Sequence, residues 1–159
     1  EKEYKSYASE CDFQFEMPVY AVIENKDSFR NQKLVGDSCW FNMVYPSLHA
    51  KIHFSYKYYS NEDEMARLLE DSYRLTSKHM NKASFIQDSV IDRPNLKGLI
   101  YSVGGNAASG KQFILTDYKN KFIRGAVYFS STPNYDSLRP AIEFIDKDIY
   151  HFINTFQFN

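Results

Sequence analysis

Cysteine is scarce in this chain: Cys11 and Cys39 are its two thiols in 159 residues. Two are too few for a metal cluster and are the minimum for one disulfide. They read either as a bridge, which in an oxidising compartment contributes roughly 3 to 4 kcal/mol for a loop of this length, or as two small buried apolar side chains. Both readings stay open. An excess of charge is also lacking. Nineteen basic residues stand against twenty acidic ones, for a net charge of −1, and no long basic run occurs, so nucleic acid receives no general electrostatic attraction. No apolar run approaches the ~20 residues of a membrane-spanning helix, and the opening EKEYKSYASE has no apolar signal-peptide core. Low-complexity tracts, internal repeats and heptad arrays are missing as well.

Aromatic residues are what the chain has in plenty. Thirteen Phe and thirteen Tyr within a 43% hydrophobic composition suffice for one sizeable core, which predicts a single domain. Residues 1–10 are polar without a period and read as a tether, so the domain is expected over 11–159. Phe13, Phe15 and Met17 alternate up to Pro18, and Val19 to Ile23 continues as a strand after that break. Trp40 to Tyr45 and Ala50 to Tyr58 read as strands, the second with Ile52, Phe54 and Tyr56 on one face. Met65, Leu68, Leu69, Ser72, Thr76, His79 and Met80 recur at helical spacing behind an acidic first turn. Phe85 to Ile91 returns to strand composition and is stopped by Asp92-Arg-Pro-Asn95.

Gly98 to Val103, Gln112 to Thr116 and Phe122 to Ser130 then predict an antiparallel meander. In its last strand both faces are apolar, which calls for cover on both sides. Ile145, Ile149, Phe152, Ile153 and Phe156 form a helical stripe able to supply part of it. The fold class expected is α+β: an α/β/α sandwich whose central, mainly antiparallel sheet is covered by helices.

Gly105-Asn-Ala-Ala-Ser-Gly-Lys111 fits the G-x-x-x-x-G-K core of a phosphate-binding loop. Gln112 stands where the magnesium-ligating Ser or Thr belongs, however, and a strand follows where a helix N-terminus should. A hairpin loop is the better reading. His49 and His53, on one strand, stand ~13 Å apart and cannot share an ion. His79 and His151 read as border or surface residues, so no metal site is expected. No serine lies in G-x-S-x-G and neither cysteine has an activating context. Asp117 and Arg124 flank a tight turn, with Glu143 before the final helix, which suggests a polar cluster near one end of the meander. Arg124 lies inside an apolar strand and should have a partner, for which an ion pair is the simplest choice. Trp40, Phe41, Tyr56, Tyr58 and Tyr59 would form a glycan- or small-molecule-binding patch if exposed together; in strands such rings are more often core.

Five segments carry a resemblance to a known family: CDFQFEMPVYAVI at 11–23, CWFNMVYPSLHAKIHFSYK at 39–57, GNAASGKQFILTD at 105–117, FIRGAVYFSSTPNYDSL at 122–138 and the ending FIDKDIYHFINTFQF. In this order they resemble the GldD family, the gliding motility-associated lipoproteins of Bacteroidetes. The resemblance implies a periplasm-facing envelope protein exported by a signal peptide that ends at a lipid-modified cysteine, with that anchor outside the present sequence. It further implies an accessory, non-enzymatic component of the motility and associated secretion machinery, with envelope proteins as partners and no cofactor. The order of elements resembles the PsbP-like sandwich, whose members are mainly binding and assembly factors. Partner or ligand contact is then expected at Asn106, Ser109, Asp117 and Arg124, with Asn134 and Asp136 from the later loop. The lysine of GNAASGK departs from the family pattern.

Overall fold

A computed structural model describes residues 3–9, 11–29, 38–59, 63, 66, 67, 70, 86–103, 111–117, 119–129 and 135–159; the side chains of 25–29, 38, 86–89, 101–103 and 135–139 fall outside that description. The strands are β1 (Tyr4–Ala8), β2 (Phe13–Pro18), β3 (Val22–Phe29), β4 (Ser38–Tyr45), β5 (Ala50–Tyr58), β6 (Ile86–Arg93), β7 (Leu96–Val103), β8 (Lys111–Thr116), β9 (Lys121–Phe129) and β10 (Gln157–Phe158), with one long helix, α1 (Tyr135–Thr155), before the last. Seven strands form one antiparallel sheet in the order β3-β4-β5-β9-β8-β7-β6, and β1-β2-β10 form a second.

Alternation builds the large sheet. In β5, Ala50, Ile52, Phe54 and Tyr56 are buried while Lys51 and Lys57 are exposed, the period-two pattern of a strand with one face on a core. Neighbours repeat it in register: Phe41 faces Phe54, and Ile123 faces Tyr56. This inner face packs against Phe13, Phe15 and Met17 of β2 and against Ile145, Ile149, Phe152, Ile153 and Phe156 of α1 in one cluster. Phe152 sits at its centre, its ring 4.5 Å from Phe15, 5.0 Å from Phe54 and 5.5 Å from Phe113. A buried phenyl contributes about 1.5 to 3 kcal/mol. Tyr59, Ile114 and Phe122, with Leu99, form a smaller cluster on the other face. Both faces of β9 are thus buried along much of its length.

The expected helix-covered, PsbP-like α/β/α sandwich is corrected by this architecture. The protein is mainly β, and the layer over the inner face is a three-stranded sheet together with α1. The reason lies in β2: its alternating Phe13, Phe15 and Met17 are buried in the same cluster as the α1 stripe and cover the inner face beside it. Residues 4–8, read as part of a polar tether, are a strand paired residue by residue with β2 from Tyr4↔Pro18 to Ala8↔Gln14. Their polarity fits an outer strand. The helix expected between Met65 and Met80 lies outside the described residues, apart from Asp63, Ala66, Arg67 and Glu70, which are helical and exposed.

Two contacts join the two layers, and a turn supports one of them. Cys11 and Cys39 form a disulfide with their Cα atoms 6.6 Å apart, tying the β1–β2 connection to β4. Pro94 and Asn95 make the β6–β7 turn, Asn95 taking a left-handed φ of 68°, a conformation asparagine tolerates. Arg93, just before that turn, donates to the carbonyls of Ile153, Asn154 and Phe156, satisfying the otherwise open C-terminal end of α1. Across the meander, a Cβ on Gly125 would lie 2.4 Å from Phe113 Cζ, so the ring lies on bare backbone.

Candidate functional site

Among the described residues, Asp148 is the charged residue that the core encloses most completely, at 2% exposure. It sits three residues after Ile145 and one before Ile149 on the buried stripe of α1. The Tyr4 hydroxyl donates to its Oδ1 at 2.7 Å, and the hydroxyls of Tyr20 and Tyr45 donate to Oδ2 at 2.7 and 2.9 Å. Three charge-assisted bonds are what a buried carboxylate needs in place of water. Burial first, and then the neighbouring Asp148, push the ionisation of Tyr4, Tyr20 and Tyr45 well above the ordinary tyrosine value, so all three remain donors at neutral pH. The cluster joins β1, the β2–β3 turn, the end of β4 and α1. Sequence reasoning missed it, although an aspartate at an apolar stripe position is a visible signal of a buried, partnered charge.

Lys111 is also buried. Its ammonium lies 3.5 Å from Asp146 Oδ2 and 5.2 Å from the centre of the Tyr150 ring. Burial pushes the Asp146 carboxyl above the usual carboxylate range, and Lys111 pulls it back. The lysine of GNAASGK therefore opens a strand and pairs with α1; this geometry differs from a phosphate cradle, in which a helix N-terminus faces the anion.

Of the residues nominated for contact, Asn106, Ser109 and Asn134 lie outside the described residues, and Asp136 falls in the first turn of α1 with its side chain outside the description. Asp117 accepts from the amides of Lys119, Asn120 and Lys121 at 2.8, 3.0 and 3.0 Å, so it shapes the β8–β9 turn. Arg124 donates to Gln112 Oε1, an amide, where an ion pair is the simplest expectation. Since Arg124 pairs with Ile114, it stands about 10 Å along the strand from Asp117, and the structure does not bring the two together. Glu143 lies within α1 and is exposed. The segments 104–110 and 130–134 are attached where β8 begins and β9 ends, at one end of the sheet, whereas Asp117 closes the other.

A cleft of about 410 Å³ opens at the first of these ends, lined among others by Glu24, Tyr45, Pro46, His49, Lys51 and Phe129. His49 takes a φ of 54° to close the short 3-10 turn Pro46–Leu48. On the outer face Asn42 bridges two ionisable groups, donating to Glu24 at 2.8 Å and lying 2.8 Å from His53 Nδ1. The alternative of an aromatic patch is not met: Trp40 is 56% exposed, whereas Phe41, Tyr56 and Tyr59 are buried, in two different clusters, as strand aromatics more often are. His151, expected at the border, stacks on Tyr4 at 3.6 Å with its Nε2 2.7 Å from Glu16.

In comparison with known families, residues 1–158 match the one described as gliding motility lipoprotein GldD. No curated protein and no solved structure matches the chain.

Proposed function

The chain belongs to the GldD family of gliding motility lipoproteins, and from that membership we propose a non-catalytic, periplasm-facing domain that serves the motility and associated secretion machinery by binding other envelope proteins. Membership of a lipoprotein family makes it a membrane-anchored protein of the cell envelope, and no helix among the described residues is long and apolar enough to cross a membrane. The observation that carries the proposal is the match along the whole chain. The chemistry of the fold supports it. Asp148, Asp117 and the Glu24–Asn42–His53 group spend their polar atoms on holding elements together. In this reading Asn106, Ser109, Asn134 and Asp136 make the contact with the partner. Asp117 and Arg124 support it by fixing the β8–β9 hairpin.

The test is genetic and then biochemical. Deleting the gene in its host should impair surface export or gliding, and the wild-type gene should restore it. Alanine at both Asn106 and Ser109 should leave a folded, membrane-bound protein that fails to restore it and loses partners captured by cross-linking. Motility and secretion unchanged by the deletion would refute the proposal.

A further inference from the structure

Four exposed apolar side chains gather where the chain enters the fold. Val19 is 47% exposed, Tyr20 36%, Val22 54% and Phe144 39%. Val19 and Tyr20 lie in the connection between β2 and β3, which the Ala21 amide closes by donating to the Pro18 carbonyl at 3.2 Å, and Val22 opens β3. The fourth reaches them from α1, its ring 5.4 Å from that of Tyr20. The Val19 amide donates to the Glu3 carbonyl at 3.0 Å, so the backbone at residue 3 lies against this same turn. Asp148 makes the arrangement rigid, because it holds the hydroxyls of Tyr4, the first residue of β1, and of Tyr20.

We infer that this apolar end, made by Val19, Tyr20, Val22 and Phe144, rests in the headgroup layer of the bilayer that carries the lipid anchor. The inference rests on the lipoprotein reading, in which the acyl chains lie on the N-terminal side of residue 3. A lipid tether fixes the distance of a domain from the membrane and leaves its orientation free. Apolar groups beside the tether meet the bilayer at a high effective concentration, so a modest apolar area is enough to set the orientation. Tyrosine is favoured at that depth, with its ring in the apolar boundary and its hydroxyl on a polar partner. The occupant follows from position: the tether brings this end of the fold to the lipid surface.

The experiment uses the lipidated full-length protein in phosphatidylcholine vesicles whose acyl chains carry bromine, which quenches indole emission on contact. Trp40, the single native tryptophan, provides the control. It lies four residues along β4 from Val44, the partner of Val22, and so about 14 Å away. In a Trp40→Phe background, the indole of Val22→Trp should lose emission and shift to the blue in brominated relative to plain vesicles. Val19→Trp should do the same as a second probe, and native Trp40 should keep its emission. Equal emission in both kinds of vesicle at positions 19 and 22 would overturn the inference. So would a wild-type dimer that Phe144→Asp converts to monomer, since a second copy would then cover the face. A protein that takes up no labelled palmitate in its host refutes the lipoprotein reading itself, whereas a lipidated protein with unquenched probes refutes only the orientation.

Discussion

Replacing Asp148 by alanine removes one carboxylate from three tyrosine hydroxyls at once. Tyr45, 1% exposed, is left with a donor inside the core, and an unsatisfied buried hydroxyl costs about 1 to 3 kcal/mol. Tyr4 and Tyr20 lie nearer the surface and recover part of their loss by bonding water. Opposing this, the variant no longer has to hold a carboxylate away from solvent, a cost that can rival the gain from its partners. The balance is a destabilisation of about 2 to 4 kcal/mol, or roughly 5 to 15 °C in Tm for a chain of this size. Urea unfolding with the disulfide intact, followed by circular dichroism, reads the change as a lower midpoint at constant slope. A cycle with Tyr45→Phe isolates the pair: the double variant should lose about 1 kcal/mol less than the sum of the single losses. Additive losses, or an Asp148→Ala variant within about 0.5 kcal/mol of the wild type, would refute the clamp as the device that holds β1, β4 and α1 together.

Two further outcomes follow from the same physics. Burial raises the ionisation of Tyr45 and Tyr56 above the ordinary 10.0; the fold therefore keeps protons that the unfolded chain releases, and this stability is complete below the unfolded value and lost as pH rises beyond it. Each contributes a slope of up to about 1.4 kcal/mol per pH unit, and Tyr45→Phe should flatten the alkaline decline, read by urea midpoints above about pH 10 together with tyrosinate absorbance. Opening the Cys11–Cys39 bridge with Cys→Ser at both positions frees a loop with a sequence separation of 28. Thermal unfolding should then show a loss of about 3 to 4 kcal/mol, and a loss below about 1 kcal/mol would argue against the chain-entropy account.

Much of the fold is legible in the sequence where one period dominates. Ala50 to Tyr58 alternates without interruption and is a strand over just those residues. The meander is legible because polar turns separate its apolar runs, and α1 because Ile145, Ile149, Phe152 and Phe156 repeat at three and four. Long-range pairing carries no such local signal. The three tyrosines on Asp148 lie 144, 128 and 103 residues from it, so the site emerges only when β1, the β2–β3 turn and β4 converge on the helix. Lys111 shows the same limit: its context in the sequence argues against a phosphate cradle, but the partner that explains its burial, Asp146, lies on another element. The tether reading of residues 4–8 judged a strand by its apolar content, whereas an outer strand is held by backbone pairing and by the few side chains that reach inward, here Tyr4 and Tyr7.

The position of these bonds matters for a domain held by its N-terminal side. A pull transmitted through Glu3 meets Tyr4 first, and separating β1 from β2 would break one ladder pair after another, starting with Tyr4↔Pro18. Tyr4 is secured beyond that pair: its hydroxyl is on Asp148, and its ring is stacked on His151, itself in contact with Glu16 of β2. Releasing the first residue therefore requires a charge-assisted bond to break inside the core, a larger step than opening an exposed backbone pair. If β1 does peel away, the chain extends only as far as Cys11, because the disulfide joins it there to β4. From that point the load enters the seven-stranded sheet, where β4 is paired on both sides. The outer strand β1 is thus backed by the most enclosed carboxylate and the one disulfide among the described residues.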